Sequence, residues 1–385
     1  MSLEALTEIS RHYGSDSDYV IAGGGNTSYK DEDTLYVKGS GMALADMVPD
    51  AFVRIDRKAL DSIWDKTYPA GNDEREREVL ADLMAAKKPG EEHKRPSVET
   101  TLHGLLPFAF VVHLHPALVN GLSCSRQGEA AMREIFPQAI WVASINPGYI
   151  LSLEVKKALE EYKRKNGRPA EIIFLQNHGV FVGAENTDKI KELYRDIMTR
   201  LKGKVKRQPD FGNESRELPG KAGGDKGGEI AETLAALARP GAANAADAAS
   251  GHALFLSNNE ISRLVENSDS FNPVSSAFTP DHIVYAGSDP LFTRAGTKAE
   301  LEADWEGHLK RTGRPPKIVA LQGLGVFGIG ASERAALLAL ELFKDTVKVA
   351  VYSESFGGPL FMAQDKIDFI NNWEVEAFRT RMAMK

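Results

Sequence analysis

The sequence is expected to fold as a layered α/β protein whose C-terminal part is a shortened copy of its first part. Three observations carry this expectation. Over residues 1–202, helix-like segments alternate with short apolar, β-prone runs joined by polar turns. Two such runs, 172–175 and 180–182, flank Gln176-Asn177-His178-Gly179 and read as strand, tight turn and strand. Residues 317–327 then repeat this segment. Ile318, Leu321, Gln322, Gly325, Val326 and Phe327 match Ile172, Leu175, Gln176, Gly179, Val180 and Phe181, while Leu324 replaces His178.

Along the chain, Gly23-Gly24-Gly25-Asn26-Thr27-Ser28 reads as a tight turn or as a nest of backbone N–H groups for an anion. Lys38-Gly39-Ser40-Gly41 follows an apolar pair. In Pro96-Ser97-Val98-Glu99 a serine suits a helix N-cap and a carboxylate follows at the start of an apolar-periodic helix. Ordinary capping accounts for the same residues. His103 lies four residues after Glu99, on the same helical face, and reads as a supporting partner rather than a ligand. Residues 108–116 are apolar and end at Pro116, the pattern of a buried strand. Strand side chains alternate, so His113 and His115 share a face. With His178 they form a set of three imidazoles that leaves a metal's remaining position open. An H-x-H pair alone also suits hydrogen-bonded core residues. His12, His93, His252, His282 and His308 lack such company and read as surface or core residues.

Three segments follow: a metal-binding catalytic domain over 1–202, a connector over 203–250, and a metal-free relative over 251–385. The connector holds two small-residue stretches, 221–228 and 239–246, around a short helix at 229–238. Ala286-Gly287-Ser288 reads as a weaker echo of Lys38-Gly39-Ser40.

Bulk properties exclude several classes. The 385 residues are 42% apolar and 26% charged, as in ordinary globular proteins. A net charge of −7 without a basic face argues against nucleic acid, and the basic run 202–207 suits a solvated helix end. One cysteine, Cys124, forbids an intramolecular disulfide and fits a cytoplasmic location. No signal peptide is expected at the N-terminus. The most apolar stretch, 105–119, contains histidines and prolines and is too short for a bilayer, so no membrane partner is expected.

The ordered set Gly24-Gly25-Asn26-Thr27-Ser28, Lys38-Gly39-Ser40-Gly41, Pro96-Ser97-Val98-Glu99, His103, His113-Leu114-His115-Pro116 and Asn177-His178-Gly179 resembles the class II aldolase/adducin family. The whole chain, with its repeat and Ser355-Phe356-Gly357-Gly358-Pro359, resembles the aldolase portion of the longer rhamnulose-phosphate aldolases. The short-chain dehydrogenase domain some of them carry is not expected here, and no dinucleotide-type G-x-G-x-x-G is present, since the one such spacing, Gly323 to Gly328, falls in the strand–turn–strand repeat instead of opening a helix. The resemblance implies an α/β/α fold with a central, mainly antiparallel sheet. It implies Zn²⁺, or another divalent transition metal, on His113, His115 and His178, with Glu99 as acid/base. Asn26, Thr27, Ser28, Ser40, Gly41 and Ser97 match positions that hold a substrate phosphate. Family members are often homo-oligomers and use an aromatic hydroxyl from a neighbouring subunit. Val98 departs from the pattern, since the family often has a second serine there.

The implied reaction cleaves a ketose 1-phosphate of the rhamnulose or fuculose type into dihydroxyacetone phosphate and an aldehyde. A divalent metal stabilises the resulting carbanion as an ene-diolate, and Glu99 moves a proton at the adjacent carbon. A sugar-phosphate epimerase or dehydratase on the same scaffold is the alternative enzyme, with glutamate rather than aspartate at position 99 favouring the aldolase. A non-catalytic, adducin-like binding module is the alternative outside enzymes.

Overall fold

The computed structural model describes residues 2–218, 226–239, 251–373 and 375. Its first sheet has seven strands in the order β3-β2-β1-β4-β7-β6-β5. They are β1 (Asn26–Lys30), β2 (Thr34–Lys38), β3 (Phe52–Asp56), β4 (Phe110–Leu114), β5 (Ile140–Val142), β6 (Ile172–Leu175) and β7 (Gly179–Ala184). All neighbours are antiparallel except β5 and β6. The fold is the mixed α/β type with a mainly antiparallel sheet.

Alternation sorts the strand residues between two cores. Phe110, Val112 and Leu114 join Val180 and Val182 under the helices Ser2–Gly14 and Thr187–Lys202. Val111, Ile173 and Phe181 pack on the other face against Leu102, Leu151 and Val155, from the helices Thr100–Leu105 and Tyr149–Asn166. Helices cover both faces, which explains why β4, β6 and β7 read as continuous apolar runs.

A second sheet has the order β8-β11-β10-β9, formed by β8 (His252–Leu256), β9 (Leu291–Thr293), β10 (Ile318–Leu321) and β11 (Gly325–Gly330). Its pairings repeat those of β4-β7-β6-β5. Strand β9 is parallel to β10, and the other pairs are antiparallel. The turns agree as well, with Asn177 at φ 57° and Gly323 at φ 73°. Register fixes which residues correspond. His113 pairs with Phe181 in β7, and Phe255 pairs with Phe327 in β11. Phe255, Ser257 and Leu324 therefore occupy the places of His113, His115 and His178. Among the described residues, strands like β1–β3 have no counterpart in the second sheet.

One sequence expectation needs correction. Ala286-Gly287-Ser288 does not correspond to Lys38-Gly39-Ser40, because it follows a short π-helix, His282–Ala286, and leads to β9, the partner of β10 that corresponds to β5. The segment read as a connector carries a short helix. Its helix runs over Lys226–Leu237, and Ile230 and Leu234 are buried in a core of the second sheet. Positions 221–225 and 240–246 of the small-residue stretches lie outside the described residues.

The halves share a core. Ala117 and Cys124, at either end of the helix Ala117–Ser123, pack among Leu342, Val349 and Ala350 of the long helix Glu333–Ser353. The helices approach so closely at Gly121 that a Cβ there would lie 2.3 Å from Tyr352 Cβ. Among the described residues no helix is long and apolar enough to cross a membrane.

Candidate metal centre

Strand β4 delivers His113 to the face bearing Phe181, and the chain continues to His115 on the same side. The β6–β7 turn places His178 opposite, with its backbone N–H donating to Leu175 O at 3.2 Å. One ligand nitrogen from each histidine lies within 4.8 Å of the others. Outer contacts orient two of the rings. His113 Nδ1–H donates to Val180 O at 3.1 Å, and His115 Nδ1–H donates to Asp281 Oδ2 at 2.5 Å. With both rings neutral, both Nε2 atoms carry lone pairs, and they lie 2.9 Å apart. Two lone pairs at that distance repel unless a cation lies between them. Burial pushes the His113 imidazole well below its ordinary range, so it is neutral, the form that ligates.

Glu99 completes the centre. Its Oε1 lies 3.4 Å from His113 Nε2 and 3.3 Å from His178 Nε2, and is buried with no hydrogen-bond partner. A buried, orphaned carboxylate oxygen calls for a missing partner. Facing lone pairs and an orphaned anion oxygen at one point fit a divalent transition metal.

The helix after Glu99 begins at Thr100, with Glu99 rather than Ser97 at the cap position and without a side-chain cap bond. The Glu99 side chain is thereby free to enter the site, while Ser97 Oγ accepts from Glu99 N at 3.2 Å. Behind it, Asn26 Nδ2 donates to Glu99 Oε2 at 2.5 Å. His103 holds that amide: its Nε2–H donates to Asn26 Oδ1, and its Nδ1 accepts from Ser28 Oγ at 2.7 Å. Burial pushes His103 down to about 3, keeping it neutral. Burial would raise Glu99, but positive charge at the histidine cluster, from ring protons or a bound cation, and the Asn26 amide hold the carboxylate low.

A cleft opens from this centre. Asn26, Ser40, Gly41, Ser97, Glu99, His115 and His178 line it. A bridge between Gly39 and Pro96, with Ser40 N donating to Arg95 O at 2.8 Å, brings the two serine loops together. Thr27 and Ser28 do not reach the cleft. Both are fully buried, Thr27 bonds to Ser10 Oγ at 2.7 Å, and Ser28 bonds to His103. Their expected contact with phosphate is corrected to support of the strand and of His103.

Sequence reasoning missed two groups of residues at the cleft. Lys38, quoted only as part of a motif, lines the cleft with Nζ donating to Met42 O at 2.6 Å and Gly23 O at 3.3 Å. From the second half come Pro280, Trp373 and Val375 at the cleft wall and Asp281 behind His115. The turn at 23–25 packs against the same half: a Cβ on Gly24 would lie 2.6 Å from Asp281 Oδ2, and one on Gly23 would lie 3.1 Å from the Tyr285 hydroxyl.

The family described as Class II Aldolase and Adducin N-terminal domain matches residues 4–199, about half of the chain, and the chain belongs to this family. A curated relative, the uncharacterized oxidoreductase YuxG of Bacillus subtilis (strain 168), is 22% identical over 424 residues covering 99% of this chain. The chain spans 58% of that relative's length. Among solved structures, the N-terminal class II aldolase domain of a conserved Thermoplasma acidophilum protein is 26% identical, with a TM-score of 0.44. It covers 52% of this chain and 92% of its own. The L-fuculose-1-phosphate aldolase of Thermus thermophilus is 16% identical, with a TM-score of 0.34, covering 52% of this chain and 90% of its own.

Proposed function

We propose that this protein is a zinc-dependent aldolase. It would cleave a ketose 1-phosphate, of the fuculose or rhamnulose type, to dihydroxyacetone phosphate and an aldehyde. The observation that carries this reading is the convergence of His113, His115, His178 and the orphaned Glu99 oxygen on one point beside a polar cleft. The histidines would hold the metal, which when bound supplies Lewis-acid polarisation of a substrate carbonyl.

The remaining chemistry belongs to the chain. Glu99, ionised and held by Asn26, is in the proton-accepting state and sits where it can move a proton at the carbon next to the carbonyl. The Asn26–His103–Ser28 chain keeps Glu99 from rotating away. Ser40, Gly41 and Ser97 would receive the phosphate, with Lys38 supplying positive charge. The apolar wall of Pro280, Trp373 and Val375 excludes water from the same cleft.

In this reading residues 1–202 are the catalytic domain, 203–250 join the halves, and 251–385 are a degenerate copy. The matching strand order supports the copy, and Phe255, Ser257 and Leu324 leave its ligand places without an imidazole. A cytoplasmic setting suits the buried free thiol of Cys124.

The test is metal content of the purified protein, alongside His178→Ala, followed by a screen of ketose 1-phosphates for aldehyde release. About one zinc per chain, lost in the variant together with aldehyde release, is expected. A metal-free, folded wild type with no aldehyde release would overturn the reading.

A further inference from the structure

The strongest unassigned contact at the centre comes from the other half of the chain. Asp281 lies 166 positions beyond His115, yet its Oδ2 accepts the His115 Nδ1 proton at 2.5 Å. Both side chains are nearly buried, with 9% of His115 and 7% of Asp281 exposed. A carboxylate on the far nitrogen of a ligating imidazole fixes the tautomer, sets the ring's orientation and makes the near nitrogen more basic.

The carboxylate is held on a rigid support. Asp281 immediately precedes the π-helix His282–Ala286. The next residue, His282, is buried and meets Asp345 Oδ2 of the long helix at 3.0 Å. On the other side, Phe278 O faces Cys124 Sγ at 3.6 Å, and Ala277 O accepts from Met362 N at 3.0 Å. The segment is thus tied to both halves within four residues of Asp281. Gly24 leaves the space that Asp281 Oδ2 fills, since a Cβ there would lie 2.6 Å from it.

We infer that Asp281 is a positioning residue for the metal centre, through which the second half of the chain tunes a metal that it does not ligate. The inference rests on the proposed histidine triad. It also gives the metal-free copy a role, since a half that has lost its own ligands orients a ligand of its twin.

The test uses the full chain stripped of metal and Co²⁺ as the probe. Affinity is read by competition with a chromophoric chelator, and ligand geometry from the visible absorption of bound Co²⁺. Asp281→Ala is expected to weaken Co²⁺ binding by roughly 10–100-fold and to alter the absorption band. Asp281→Asn keeps an acceptor oxygen without the charge and should recover part of both. Gly24→Ala, which displaces the carboxylate without removing it, should move the band in the same direction as Asp281→Ala. Wild-type affinity and spectrum in Asp281→Ala would overturn the inference. Should that variant fail to fold, the same comparison is made on Asp281→Asn and Gly24→Ala, and unchanged binding and band in both would overturn it. Absence of Co²⁺ binding in the wild type would sink this inference and the metal reading together. Co²⁺ binding that responds to Asp281, without aldehyde release from any ketose 1-phosphate, would leave Asp281 in place and remove only the aldolase.

Discussion

Phe181 lies flat against His113, with ring centroids 3.9 Å apart and planes at 11°. The stack and the Val180 carbonyl together leave the His113 ring one orientation. Phe327 stands at the same place in the copy without a histidine to stack on, so the phenyl ring is first a core residue. Phe181→Leu keeps most of the bulk and loses the flat surface. It is expected to reduce stability by about 1 kcal/mol and to weaken zinc retention several-fold. Denaturant unfolding and chelator competition on the same preparation check the two effects. Unchanged zinc retention would show that the stack does not hold the ligand.

Gly179 is required by space. A Cβ there would lie 2.5 Å from Leu114 O and 2.7 Å from His115 Cδ2. A Cβ on Gly325 would likewise lie 2.8 Å from Leu256 O, the counterpart of Leu114 O, and 2.7 Å from Cε2 of Phe255, which takes the place of His113. The glycine is thus part of the strand packing, and at 179 the ligands share that packing. Gly179→Ala and Gly325→Ala should each cost about 1–3 kcal/mol. Gly179→Ala alone should also weaken metal binding, by about tenfold or more if the rings move as the contacts require. Equal metal affinity in the two variants, measured by the same competition, would refute the distinction.

The centre was legible where it depended on short spacings. Alternation along one strand put His113 and His115 on one face, and the apolar runs around His178 marked a hairpin. The hairpin's repeat announced the second sheet. Asp281, Trp373 and Val375 were not legible, because packing of two distant halves brings them to the site. Local spacing carries no information about such a contact. The burial of Thr27 and Ser28 was hidden for a different reason. A short polar strand beside a glycine turn reads the same whether its hydroxyls face a ligand or a buried histidine, and here Ser10 and His103 supply the partners.

His103 gives the apoprotein a pH-dependent stability of known sign. Its folded pKa is about 3 because burial disfavours the charged ring, whereas an unfolded histidine titrates near 6.5. The contribution is complete above pH ~6.5 and is lost as pH falls from there toward ~3, because only the unfolded chain takes up the proton. The slope from one such group reaches about 1.4 kcal/mol per pH unit. His103→Gln should be less stable than wild type at pH 7, since Asn26 and Ser28 lose well-placed partners. The gap should narrow on the acid side of ~6.5. Comparing the two proteins by urea unfolding in chelator at pH 7 and pH 5 cancels the carboxylates common to both. A gap that stays constant would show that His103 is not held neutral.

Val98 bears on the identity of the substrate. It lines the same cleft as Ser97, Ser40 and Gly41, where a hydroxyl would be one more donor to an anion. Lys38 on the same wall already supplies a full positive charge, and an ammonium compensates for one missing neutral donor. The cleft is therefore expected to bind phosphate as it stands, less tightly than with a second serine. A hydrogen bond to a charged group contributes about 1.5–3 kcal/mol, so Val98→Ser should lower KM for a phosphorylated ketose by roughly tenfold or more. Inhibition by inorganic phosphate should strengthen in parallel. The unphosphorylated ketose should respond little, because its hydroxyl carries no charge for the new donor to meet. An equal response of the two ketoses would place the phosphate elsewhere in the cleft and remove Ser40, Gly41 and Ser97 from its binding.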